Sequence, residues 1–243
     1  MNKPKPISIE NRWDILYAEY PEVYDAFASV PKTPTMIETL KKHFDLKDKK
    51  VLDIGSGAGD STFQLASISK EVIGLEIEDA MREIAEDKAK VLGISNVSFM
   101  KGDAMKITLP NQSVDASIAI TLPLFIEDDI RKYIREAIRV TKKEGYVINL
   151  GIAPFCYGGN LAPIILGESR ITEEDTEGVV DRILRDEFGF SFFDYDVLQI
   201  YDSPEHMIST YGFIFGSDVI HHIRENKISQ VTWTYRVHYL KIN

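Results

Sequence analysis

The sequence has little with which to staple, anchor or clamp. Its 243 residues include one cysteine, Cys156, so no intramolecular disulfide can form. A reducing, cytoplasmic setting is the expectation. No run approaches the ~18 apolar residues of a membrane span. The richest apolar stretch, 151–167, is broken by prolines, glycines and Asn160. Residues 1–10 carry two lysines and two prolines with no apolar run behind them, so no signal peptide is expected. Positive charge is also short: 28 Lys and Arg stand against 38 Asp and Glu, a formal charge of −10. Nucleic-acid binders usually carry a basic face. The basic run Lys47–Lys50 is interrupted by Asp48, which disfavours nucleic acid and anionic membranes as partners. The five histidines (43, 206, 221, 222 and 238) have no metal-ligand spacing with one another or with Cys156, so no metal is expected. A paired Ser/His/Asp arrangement and a phosphate-binding lysine motif are also missing. Hydrophobic content, at 44%, is ordinary for a chain that buries a core.

What the chain does have is Val51-Leu52-Asp53-Ile54-Gly55-Ser56-Gly57-Ala58-Gly59-Asp60. Apolar residues lead to a glycine-rich turn, and a helical pattern follows. Glycines let the backbone approach a ligand closely, and the free N–H groups of the next helix favour negative ligand groups. The dinucleotide fingerprint G-x-G-x-x-G fails at its third glycine, where Asp60 stands. Asp53, two residues before the first glycine, would repel phosphate and suits a cationic or amine-bearing ligand.

Periodicity predicts the rest. Trp13, Leu16, Tyr17 and Tyr20, then Val23, Tyr24 and Phe27, form two short helical pieces separated at Pro21. Pro31 to Pro34 reads as a linker, and Met36, Ile37, Leu40 and Phe44 as a scaffold helix. Strands are expected over 51–54, 71–77, 97–101, 114–121 and 146–150, with helices over 62–69, from Glu78, and over 127–142. Strands alternating with helices imply a parallel sheet covered on both faces. Ligands on such sheets sit beyond the carboxyl ends of the strands. Asp53 to Gly59, Glu76, Asp103 and Thr121 all fall at such ends. Glu76 lies 21 residues past Gly55, placed to accept hydrogen bonds from two ribose hydroxyls. The last third predicts a helix over 172–188, strands over 192–202 and 230–242, and a helical insertion opened by Ser203-Pro204.

The pattern Asp53-x-Gly55-x-Gly57-x-Gly59 resembles the first motif of the class I S-adenosylmethionine-dependent methyltransferases. The likeness covers about residues 45–151. Glu76 matches the family's ribose-binding acid, and Asp103-Ala104 its adenine-side motif. Arg139-Val140-Thr141-Lys142-Lys143-Glu144-Gly145 matches the segment usually written Arg-Val-Leu-Lys-Pro-Gly-Gly, without its proline. The resemblance implies an α/β, Rossmann-like three-layer sandwich. Its sheet would be seven-stranded and mostly parallel, with the last strand antiparallel. An N-terminal helical lid (1–34) would precede a methyltransferase domain (35–243) with substrate-side insertions at about 151–172 and 203–229. It implies S-adenosylmethionine as cofactor and S-adenosylhomocysteine as product. Asp53, Gly55, Ser56, Gly57, Gly59, Glu76, Ile77, Asp103, Ala104 and Thr121 would bind the cofactor, and Tyr17, Tyr20, Tyr24 and Tyr157 would face the substrate. Thr121-Leu122-Pro123-Leu124-Phe125 stands where amino-methylating nucleic-acid enzymes carry Asn/Asp-Pro-Pro-Tyr/Phe. With the acidic charge, this favours a small-molecule acceptor. A protein or RNA methyltransferase and a non-catalytic S-adenosylmethionine-binding protein are the alternatives. No catalytic base is singled out, and oligomeric state has no signature here.

Overall fold

In a computed structural model the structure describes residues 15, 16, 19–122, 126–154, 156, 158–166 and 176–243. Eight strands form one sheet: β1 (Lys32–Thr33), β2 (Lys50–Ile54), β3 (Glu71–Glu76), β4 (Val97–Lys101), β5 (Val114–Ile120), β6 (Thr141–Ile152), β7 (Ser191–Ile200) and β8 (Gln230–Lys241). Their order is β1-β7-β8-β6-β5-β2-β3-β4. β4, β3, β2, β5 and β6 pair in parallel, and β8 runs antiparallel to β6. The eighth strand is β1, within the stretch expected as a linker; it pairs antiparallel with β7, Lys32 opposite Gln199. Two residues are too short for alternation to reveal.

The chain leaves β2 toward β3 on one side and returns to β5 on the other. The order therefore reverses at β2, where open α/β sheets place their ligands. Helices α1 (Pro21–Ser29), α2 (Met36–His43), α3 (Asp60–Ala66), α4 (Asp79–Leu92) and α5 (Glu127–Val140) come in that sequence. α2 starts with a capping box between Thr35 and Glu38, which satisfies orphan donors at both ends of the motif. α3 stops at Ala66, short of the expected Ser69. There Ser67 Oγ donates to the Gln64 carbonyl at 2.7 Å and Ser69 Oγ to that of Leu65.

β6 begins five residues before its predicted start at Tyr146. Thr141 Oγ1 donates to the Ala137 carbonyl at 2.7 Å and closes α5. The register then jumps from Val114–Thr141 to Ala116–Tyr146, so residues 142–145 bulge, with Glu144 at φ +62°. Of the predicted 172–188 helix, α6 (Thr176–Arg182) and a π-turn, Ile183–Glu187, are described.

The described residues cluster into two compact units, each interleaved in sequence. One gathers residues from 35–154, 173–195 and 235–243. Its sheet buries apolar side chains on both faces: Leu52, Ile54, Ile73 and Leu75 with Ile130 and Ile134 of α5, and Val51, Val72, Ile118 and Ile148 with Leu40 of α2. Between β7, β8 and α6 lies a buried ionic group. Asp181 accepts from Arg236 and His238 Nε2 at 2.8 Å and from Arg185 at 2.9 Å, while Asp194 receives two more bonds from Arg236.

The other unit gathers residues from 1–34, 155–172 and 196–234, and it is held by aromatic packing. Trp233, 2% exposed, has Phe27, Tyr211 and Phe215 at centroid distances of 6.0, 6.0 and 6.3 Å. Its indole N–H donates to Gln199 Oε1 at 2.8 Å, and Gln199 Nε2 donates to the Phe27 carbonyl at 3.0 Å. Ser203 caps the helix Pro204–Met207 through the His206 N–H, as the Ser-Pro pair predicts.

Candidate functional site

β2 delivers Asp53 and then turns sharply. Gly55, Gly57 and Gly59 sit at φ +75°, +53° and +90°, a region that L side chains enter only with strain. The N–H groups of Gly55 and Ser56 both donate to the Leu75 carbonyl, at 2.9 and 3.1 Å, which ties the turn to the end of β3. A Cβ on Gly59 would lie 2.7 Å from Phe63 Cζ and 3.0 Å from Ala85 Cβ. A Cβ on Gly57 would meet nothing within 4 Å. One side of the loop is therefore closed against α3 and α4, and the other is bare backbone facing open space.

Two acids hold this loop. Glu76, 8% exposed, ends β3. Its Oε2 accepts the Gly57 N–H at 2.8 Å and its Oε1 the Glu78 N–H at 2.9 Å. Each carboxylate oxygen can accept more than one bond, so both keep capacity for a ligand hydroxyl. Asp53 is fully buried. Its Oδ2 takes the hydroxyls of Ser61 and Thr62, both at 2.7 Å, while its Oδ1 is buried with no partner among the described residues. Burial pushes the Asp53 carboxyl up to about 6, against the bonds from Thr62 and Ser61; the charge of Glu76 adds to the rise. Ser56 Oγ is likewise buried and unpartnered. Unsatisfied buried acceptors are costly, and here two of them belong to the strand end and turn of one glycine loop.

The remaining expected positions follow around the same strand ends. Ile77, next after β3, is 54% exposed. Asp103 follows β4; its Oδ1 accepts the Met105 N–H at 2.8 Å, and Ala104 packs on the core. Thr121, after β5, takes φ +49° and donates its N–H to the Leu150 carbonyl at 2.7 Å. Tyr17 and Tyr157 lie outside the described residues, as does the side chain of Tyr24. The Tyr20 ring sits edge-on to Phe213 at 5.2 Å. Sequence reasoning missed Ser61 and Thr62, the clamps on Asp53. Two hydroxyl residues in the first turn after the glycine loop were the available signal.

Residues 51–145, from β2 through the bulge in β6, match the family described as a methyltransferase domain. The match covers less than half of the chain and marks this segment as methyltransferase-like. Over 98 residues the chain is 35% identical to the uncharacterized methyltransferase YcgJ of Bacillus subtilis, a match covering 40% of this chain and 38% of that protein. It is 34% identical over 114 residues to the demethylmenaquinone methyltransferase of Lactococcus lactis, covering 46% and 45%. The match thus spans less than half the length of either relative. The solved structure of YcgJ superposes with a TM-score of 0.57 at 19% identity, covering 85% of this chain and 97% of that one. At that identity the likeness shows the fold alone.

S-adenosylmethionine is the cofactor that the resemblance implies, and the residues present suit that molecule. A cationic amine matches the unpartnered, buried Asp53 Oδ1, and the open side of Gly57 leaves backbone accessible.

Proposed function

We propose that the protein transfers a methyl group from S-adenosylmethionine to a small-molecule acceptor, mainly by positioning. The observation that carries this reading is the methyltransferase-domain match over 51–145 falling on a loop whose two acids are buried, one of them, Asp53, with an oxygen that has no partner among the described residues. Glu76 takes the ribose hydroxyls, and Asp53 lies near the amine of the methionine part. Gly55, Ser56, Gly57 and Gly59 line the backbone side of the ligand. Ile77, Asp103 and Ala104 flank the adenine, and Thr121 closes the edge of the site. A small acceptor is supported by the charge of −10, by the sequence at 121–125, and by a relative named for demethylmenaquinone.

The cofactor supplies an electrophilic methyl on a sulfonium with a good leaving group. The chain has to align nucleophile, methyl and sulfur, and such orientation contributes up to ~7–11 kcal/mol in well-positioned reactions. The two acids fix one end of the ligand. The strained glycine turn is clamped to β3, so it holds its shape while the ligand arrives. An acceptor that arrives deprotonated needs no base from the protein.

Calorimetric titration with S-adenosylhomocysteine tests the reading. Wild-type protein is expected to bind saturably, and Glu76→Ala to bind about 10- to 100-fold more weakly, the value of one or two charge-assisted hydrogen bonds. Glu76→Gln should fall between them. No binding by folded wild-type protein would overturn the proposal. Binding without turnover of any small acceptor would leave a cofactor-binding protein and remove the transferase.

A further inference from the structure

At the end of the sheet opposite the glycine loop lies a recess of about 680 Å³ that the methyl-transfer site does not use. It is formed by the end of α2 and the following turn, and by residues 67–70 after α3. Lys41, Lys42, Lys47 and Lys70 line it with His43, and Asp45 and Asp48 share the rim. The four lysines exceed the two aspartates, in a chain whose formal charge is −10. Lys49 and Gly55 flank β2 at its two ends, so the recess is about 15–20 Å from the glycine turn at ~3.3 Å per residue.

Lysines in this fold divide into those held by a carboxylate and those that are not. Lys50, Lys88, Lys101 and Lys142 each hold a carboxylate within 3.1 Å. Among the described residues, Lys41, Lys42, Lys47 and Lys70 have no such partner. Lys41, Lys42 and His43 stand in the last turn of α2, where positive charge complements the helix dipole; Lys47 and Lys70 have no such role. At the end of α3, Ser67 and Ser69 take the carbonyls of Gln64 and Leu65, and Asn96 Nδ2 donates to the carbonyls of Ala66 and Ser69 at 2.9 and 3.2 Å. Lys70 thus has no unsatisfied helix carbonyl to serve, and Lys47 lies outside any helix. The rim is also ordered. Asp45 Oδ1 accepts the Lys47 N–H at 3.2 Å, and the His43 ring stacks on Phe193 at 4.1 Å.

We propose that this recess binds a compact anion carrying two or more phosphate groups. Clefts lined with one sign of charge concentrate ions of the other sign. Lysine is a common point-charge partner for phosphate. The volume lies within the range of small-ligand sites. The site stands apart from the cofactor loop, so its occupancy is independent of the methyl-transfer reading.

The test is calorimetric titration of the full chain with inorganic pyrophosphate at constant ionic strength. Wild-type protein is expected to bind one pyrophosphate per chain. The exposed pair Lys47→Gln with Lys70→Gln should weaken this by at least about tenfold, from loss of two charge-assisted contacts. The control pair Lys106→Gln with Lys143→Gln should leave it unchanged. S-adenosylhomocysteine titration of the same variants should match wild type and show them folded. Three outcomes would overturn the proposal: no saturable binding by wild-type protein, equal loss in the control pair, or binding only to vesicles containing phosphatidylglycerol and not to pyrophosphate.

Discussion

Asp53 and Asp181 are 0% and 8% exposed in the same unit of the protein, and their electrostatic states are opposite. Asp53 ends β2 with two hydroxyls on one oxygen and nothing on the other; burial raises its carboxyl to about 6. Burial acts on Asp181 in the same sense, but bonds from His238, Arg236 and Arg185 outweigh it and hold the carboxyl below its ordinary value. Asp181 is thereby ionised, so His238 Nε2 is the donor to it; burial lowers the imidazole, which favours its neutral form. The difference separates two uses of a buried acid. A carboxylate surrounded by its cations is part of the scaffold. One left short of a cation beside a bare glycine loop is a place for a ligand.

Four substitutions test this contrast. Arg236→Ala has the largest expected effect. It strips both Asp181 and Asp194 of a guanidinium, and removing one partner of a buried pair costs about 3–5 kcal/mol. Urea unfolding at pH 7 reads that loss. A change below about 1 kcal/mol would mean that water replaces the arginine and that the group is not a closed network.

Asp53→Asn is expected to act in the opposite direction. The native carboxyl titrates above the ~3.9 of an unfolded aspartate. As pH rises, the unfolded chain ionises first and the native state loses up to about 3 kcal/mol between roughly pH 4 and 6. Asparagine keeps an oxygen for Ser61 and Thr62 and carries no charge. The variant should be about 1–3 kcal/mol more stable than wild type at pH 7, the gain vanishing below roughly pH 4, while binding S-adenosylmethionine more weakly. Lower stability at pH 7 would show that the ionised form is satisfied in the native state.

The smallest effect comes from paired changes in the loop. Gly59→Ala meets Phe63 and Ala85 at φ +90° and should cost about 1–3 kcal/mol. Gly57→Ala, at φ +53° with open space, should cost about 1 kcal/mol and yet impair S-adenosylhomocysteine binding more. Equal losses of stability and binding in the two variants would erase the distinction between the closed and open sides of the turn.

The loop and its acids were readable because their signals are local. Alternating apolar residues, three glycines and an acid at the end of the next strand all lie within 51–76. The β-α alternation through β6 follows for the same reason. What stayed hidden depends on pairing across distance in sequence. β1 exists only through its bonds to β7, more than 160 residues away. The bulge at 142–145 reflects the register of β6 on β5. Asp181, Arg236 and His238 appear as an ordinary helix acid and two strand residues until α6 and β8 are brought together. Spacing gave no hint of the carboxylate that His238 meets.

On the proposed reading, in which Asp53 receives the ligand amine, its unpartnered oxygen makes ligand binding a proton-linked event. Near pH 6 the carboxyl holds a proton in part of the population. A cationic amine placed against it favours the ionised form, so arrival of the ligand releases that proton to solvent. The heat of S-adenosylmethionine binding should then depend on the ionisation enthalpy of the buffer below about pH 6 and lose that dependence above roughly pH 7.5, while affinity climbs across the same interval. In Asp53→Asn both dependences should disappear together.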